Sequence, residues 1–156
     1  MTAPEQDHPG VITYPPLIFL FCLLTGLALH WLAAVTLTPH LPFRILGGAL
    51  VMLAGFLAGS ARSAMNKAGT NILPTKPTLA IVASGPYRFT RNPMYLALCL
   101  LHAGIALLLC WLMPLVMTAV LASILHFGVI LREEKYLAAK FGPVYVNYQK
   151  SVRRWL

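Results

Sequence analysis

Four stretches of this chain carry almost no charge: residues 17–37, 43–61, 93–112 and 114–131, with Arg44 the one Lys, Arg, Asp or Glu among them. The first is 21 residues, or roughly 31 Å of helix at 1.5 Å per residue, enough to cross the hydrocarbon layer of a bilayer. In lipid every backbone N–H and C=O must be satisfied within the segment, so such runs fold as helices. Charged residues make up 10% of the 156 and hydrophobic residues 58%, where a soluble domain carries about a quarter charged. The expectation is an all-α integral membrane protein: one domain over residues 1–156, four transmembrane helices, a polar loop between the second and third, and an amphipathic C-terminal segment over residues 132–156.

The net charge of +8 has a topological meaning. Eleven of the twelve Lys and Arg residues lie in the loop or after the fourth span. The positive-inside rule puts both regions, and with four spans both termini, in the cytoplasm. A bacterial inner membrane suits this arrangement. Anionic headgroups account for the basic residues, so no nucleic-acid partner is expected. Cys22, Cys99 and Cys110 all fall in apolar runs, matching no metal motif, and read as small hydrophobes. The polar lead with Glu5 and Asp7 lacks the basic start of a cleaved signal peptide, so the first span is expected to remain.

The chemistry gathers at Gly85-Pro86-Tyr87-Arg88-Phe89-Thr90-Arg91-Asn92-Pro93-Met94-Tyr95. Asn92 followed by Pro93 reads as an N-cap and a first-turn proline, so a helix starts there and aims its partial positive charge at the arginines. Arg88 and Arg91 have bidentate reach for a carboxylate or phosphate. Upstream, Gly69, Pro74, Pro77 and Pro86 forbid a continuous helix, and the apolar, β-branched Thr78-Leu79-Ala80-Ile81-Val82 reads as extended. His30 is expected to be neutral and bonded to a neighbouring helix. His102 and His126 are placed so that they could face one another in a structural pair. Gly48, Gly55 and Gly59 share a face of the second span, suited to close packing on the first span or on a second copy, which permits a homodimer.

Outside the N-terminal lead, the acids are Glu133 and Glu134, at the membrane edge. A carboxylate there can hold a ligand ammonium or stabilise a positive centre, while Arg91 and the start of the third helix hold a carboxylate. Together they match an amino-acid zwitterion. The pattern Gly-Pro-Tyr-Arg-x-x-Arg-Asn-Pro-Met-Tyr, followed by Glu-Glu-x-x-Leu-x-x-x-Phe-Gly-x-x-Tyr-x-x-Tyr, resembles the isoprenylcysteine carboxyl methyltransferase and phospholipid methyltransferase superfamily, closest to its small bacterial members. The resemblance runs from Thr70 to the C-terminus. It implies S-adenosylmethionine-dependent methyl transfer to an apolar or amphipathic small-molecule or lipid acceptor at the cytoplasmic membrane face. The loop and C-terminal segment would then form the cofactor site. Carried over by position, Leu79, Ala80, Ile81, Val82, Tyr87, Asn92, Pro93, Met94, Tyr95 and Glu133 fall where relatives touch the cofactor, as does Glu134 in the phospholipid branch. Arg91 is assigned a carboxylate on physical grounds, and Arg91 and Glu133 are the residues expected to carry catalysis; no metal is implied.

Two departures bear on the acceptor. The common pattern has histidine where this chain has Asn92, so an imidazole proton role is absent. The isoprenylcysteine enzymes carry a substrate-binding arginine at the position of Val129, so a prenylcysteine carboxylate is not the expected substrate. No general base stands out, which favours an acceptor that is already nucleophilic. Two rival readings follow from the same residues. One is a non-enzymatic membrane subunit or lipid-binding protein. The other is an NADPH-dependent reductase, because sterol reductases are similar over the same C-terminal region; no second phosphate-binding element supports it.

Overall fold

A computed structural model describes residues 9–73 and 76–156; Glu5, Asp7 and Pro74 lie outside the described residues. Each apolar run is a helix. α1 spans Pro15–Ala33, α2 His40–Lys67, α3 Pro93–Leu109 and α4 Leu112–Leu125. α4 passes through a π-helical turn, His126–Ile130, into α5, Leu131–Phe141, and α6 follows at Pro143–Ser151. Three helical stretches, Pro15–Ala33, His40–Lys67 and the continuous Leu112–Phe141, are long and apolar enough to cross a membrane, and Pro93–Leu109 is a shorter apolar helix.

Prolines and αL residues set the ends. Pro15 and Pro16 start α1, and Pro93 starts α3, where a missing N–H leaves no helical bond unmade. Ala34 and Cys110, both left-handed, close α1 and α3. The αL residue Cys110 makes the α3–α4 hairpin as tight as expected. Gly142, at φ +54°, breaks α5 from α6 directly before Pro143. The expected spans are off at their ends: the first stops at Ala33 rather than Leu37, and the second runs on to Lys67 rather than Ala61. Arg62 and Lys67 are good helix formers. The change of polarity there marks the edge of the apolar layer and not the end of the helix.

The chain neighbours α1 and α2 do not pack together. α2 packs on α3, α3 on α4, and α4 on α1. Gly47 and Gly26 make two of these contacts close. A Cβ on Gly47 would lie 2.7 Å from the Leu108 backbone nitrogen, and one on Gly26 2.7 Å from Pro114 Cα. This corrects the expectation that α2 packs on the first span: within the chain its partner is α3, Gly47 lies at that contact, and Gly48, Gly55 and Gly59 face open space.

The core joins Ile18 and Cys22 of α1, Tyr95 of α3, and Met117, Leu121, Leu125, Val129 and Ile130 of the long final helix. Val129 is fully buried there. The π turn inserts a residue into the helical phase and so changes where His126 points relative to α5. His126 turns to the C-terminal tail, where its Nδ1 accepts from Trp155 Nε1 at 3.2 Å. His102 instead meets Thr118 Oγ1 at 2.9 Å and the edge of Phe19. The two histidines do not pair. His30 stacks on Trp111, with ring centroids 3.9 Å apart, and its Nδ1 has no hydrogen-bond partner among the described residues. All three cysteines are free.

Candidate functional site

The loop between α2 and α3 folds back on itself. Thr70 Oγ1 accepts the backbone N–H groups of Leu79 (2.9 Å) and Ala80 (3.4 Å), and Asn71 Nδ2 donates to Pro77 O at 2.8 Å. Residues 77–83 adopt neither helix nor strand; Pro77 and the β-branched Thr78, Ile81 and Val82 disfavour a helix. A short 3-10 turn, Gly85–Arg88, then buries Tyr87 against Ala61, Ala64 and Val82. The side chains of Val82 and Tyr87 are thereby fixed on the end of α2.

The C-terminal segment covers this loop from the other side. Tyr148 Oη of α6 donates to the Tyr87 carbonyl at 2.7 Å. The tail beyond α6 runs beside residues 90–92: Arg91 N–H donates to Arg153 O (2.9 Å), while Thr90 Oγ1 (3.1 Å) and Asn92 Nδ2 (2.9 Å) both donate to Arg154 O. Asn92 is the N-cap residue of α3, but its side chain makes no capping bond. The expected Asn92 cap is therefore corrected: the amide reaches across to the tail, because a carbonyl lies within reach there.

Between these parts lies a cavity of about 250 Å³. Of the twelve residues expected at the site, eleven line it: Ala80, Ile81, Val82, Tyr87, Arg91, Asn92, Pro93, Met94, Tyr95, Glu133 and Glu134. Leu79 does not; its side chain is 61% exposed and its N–H is taken by Thr70. Arg88, grouped with Arg91 by sequence, is exposed and also outside the lining. The cavity extends to Ala58 and Met65 of α2, Ala97 and Leu98 of α3, and the segment at Tyr14–Pro16.

The two adjacent carboxylates sit in different company. Glu134 accepts a bidentate pair from Arg154, Nε to Oε1 at 2.9 Å and Nη2 to Oε2 at 2.8 Å, and Arg91 Nη2 shares Oε1 at 3.1 Å. Among the described residues Glu133 accepts one hydrogen bond, from Tyr95 Oη at 2.7 Å. Glu133 lies past Leu131, where the apolar run ends. Burial pushes its carboxyl up to about 7; Glu134 adds to that, and the Tyr95 hydroxyl opposes it. Burial likewise raises the Tyr87 and Tyr145 phenols, and brings Tyr148 to about 12, so all three stay neutral. The Arg91 side chain is 9% exposed, and its Nε makes no hydrogen bond among the described residues.

This site falls within a recognisable family. The phospholipid methyltransferase family matches the chain over residues 42–144. The chain belongs to that family. The match places it in the superfamily that also holds the isoprenylcysteine enzymes, and supports a membrane methyltransferase whose family acts on lipid-like substrates. A comparison with curated proteins found no match.

The matched region carries nearly all of α2, the loop, α3, α4 and α5, hence most of the cavity lining; Tyr14–Pro16 precede it. Tyr145, Tyr148 and the Arg153–Trp155 tail lie beyond it. Arg154 is not among the residues expected from the sequence, which placed the tail in an amphipathic segment without assigning it a contact. The available signal was the count of acids: with only Glu133 and Glu134 near the loop, a basic tail has few carboxylates to meet. Thr70, which pins Leu79 and Ala80, gave no signal of its own.

Proposed function

We propose that this family member transfers a methyl group from S-adenosylmethionine to a lipid-like acceptor. The observation that supports it best is one cavity lined both by a carboxylate, Glu133, that meets no cation among the described residues and by a buried guanidinium donor, Arg91 Nε, without a partner among them. Those are the complements of a ligand ammonium or sulfonium and of a ligand carboxylate. Ile81, Val82, Met94 and the Tyr87 ring offer apolar surface for a flat base. The residues present therefore fit the cofactor. When bound, it supplies a methyl group activated by the positive sulfur.

The chain's own part is alignment and exclusion of water. Glu133 holds positive charge, oriented by Tyr95. Arg91 and the start of α3 hold negative charge, with Asn92 and Pro93 fixing that start. Tyr145 and Tyr148 close the side formed by α6. Glu134, engaged by two guanidiniums, serves the site through Arg91. Ala58, Met65, Ala97 and Leu98 extend the lining toward the apolar layer, which suits an acceptor arriving from the bilayer. With Val129 in the core, no arginine occupies the place at which the isoprenylcysteine enzymes bind their substrate. Four spans, with the loop and tail at the cytoplasmic face, agree with the direct contact between those two regions.

Titration of the full chain in detergent with S-adenosylmethionine, S-adenosylhomocysteine and NADPH tests the reading, paired with transfer of labelled methyl into extracted lipid. Binding of the first two with labelled lipid product is the expected result. NADPH binding alone would favour the reductase, and no binding at all would leave a lipid-binding role.

A further inference from the structure

Two guanidiniums, Arg91 and Arg154, and two carboxylates, Glu133 and Glu134, meet beside this cavity, and the geometry says how they are shared. We propose that Arg154 is a positioning residue for the candidate cofactor site: by occupying Glu134 it keeps a donor of Arg91 available to a ligand carboxylate. The proposal rests on the cofactor reading above and adds a residue outside the family match.

Glu134 has two oxygens, and Arg154 takes both, at 2.9 and 2.8 Å. Arg91 is left with one shared contact, Nη2 to Oε1 at 3.1 Å. Its Nε N–H is buried and unpaired among the described residues, in a side chain that lines the cavity. A buried charged donor without a partner is costly, and a planar guanidinium beside a free carboxylate turns its fork to bond it twice. Arg154 blocks that turn. Without it, Arg91 can close both donors onto Glu134 and withdraw from the ligand.

The main chain fixes this competition. Thr90 and Arg153 form a parallel bridge, and Arg91 N–H donates to the Arg153 carbonyl at 2.9 Å. The two arginines are thus carried by paired backbones. The Arg154 carbonyl is held by Thr90 and Asn92, and the next residue, Trp155, is anchored on His126. The tail cannot slide along Glu134 without breaking these bonds.

The test uses the full chain in detergent and two probes, S-adenosylhomocysteine and its decarboxylated counterpart. The wild type is expected to prefer the carboxylate-bearing probe by about tenfold, the worth of one charge-assisted hydrogen bond. Arg154→Gln should remove that preference while leaving affinity for the decarboxylated probe within about twofold, because only the interaction with the carboxylate is lost. Arg154→Lys, which keeps the charge but cannot span both oxygens, should retain part of the preference, and it serves if the glutamine variant does not fold. Glu134→Gln added to Arg154→Gln should restore the preference, since a neutral amide no longer draws Arg91. Equal weakening of both probes, no weakening, or no restoration in the double variant would overturn the proposal. If the wild type binds both probes equally, the cofactor reading stands and the role of Arg91 and Arg154 falls. If it binds neither, the cofactor reading falls first and takes this one with it.

Discussion

Changing the pH around Glu133 should change cofactor affinity in one direction only. Burial, reinforced by Glu134, brings the free carboxyl to about 7, and a bound cation favours its ionised form. The apparent dissociation constant then scales as one plus the ratio of protonated to ionised carboxyl. At pH 6 it is about 11 times its limiting value, and at pH 7.5 about 1.3 times, an overall change of about eightfold. Binding strengthens as pH rises through 7 and releases a proton, about half of one at pH 7. Calorimetric titration of S-adenosylmethionine between pH 6 and 7.5, in two buffers of different ionisation enthalpy, reads both quantities. Glu133→Gln should bind more weakly and lose the slope. A flat wild-type profile, or affinity that rises toward acid, would falsify the assignment of Glu133 to a ligand cation.

Two other expectations concern a site contact and the packing beneath it. The Tyr95 hydroxyl, 2.7 Å from Glu133, lowers the carboxyl against the effect of burial, so Tyr95→Phe should move the midpoint of the same pH profile upward; an unmoved midpoint contradicts the geometry. Gly47→Ala places a methyl within 2.7 Å of the α3 backbone and should cost about 1–3 kcal/mol of stability by thermal unfolding in detergent. Gly48→Ala meets nothing within 4 Å and should be neutral or up to about 1 kcal/mol stabilising; equal losses at the two positions would refute the α2–α3 contact.

Much of this was legible because membrane folding writes itself into local composition. The apolar runs located α1 to α4, and Pro93 and Gly142-Pro143 located a start and a stop, each through steric rules that act within a few residues. Eleven of the twelve expected site residues line one cavity, and six of them belong to the Gly85–Tyr95 stretch, a local unit of 3-10 turn and helix start. Leu79 fell outside, since its direction depends on Thr70, nine residues earlier. The end of α2 was misjudged because polarity reports the solvent around a helix and not whether the helix continues.

By itself, then, the sequence determined which segments form apolar helices and where the polar chemistry concentrates. Only the tertiary structure decided which charges neutralise one another. Glu133 and Glu134 are adjacent and chemically alike, yet one is clasped by Arg91 and Arg154 while the other faces a cavity with Tyr95 as its hydrogen-bonding neighbour. The same holds for the pairing of α2 with α3, the π turn at His126–Ile130 and the separation of His102 from His126. Each of these depends on contacts between residues far apart in the chain, whose distances are set by how the helices pack rather than by what any segment prefers alone.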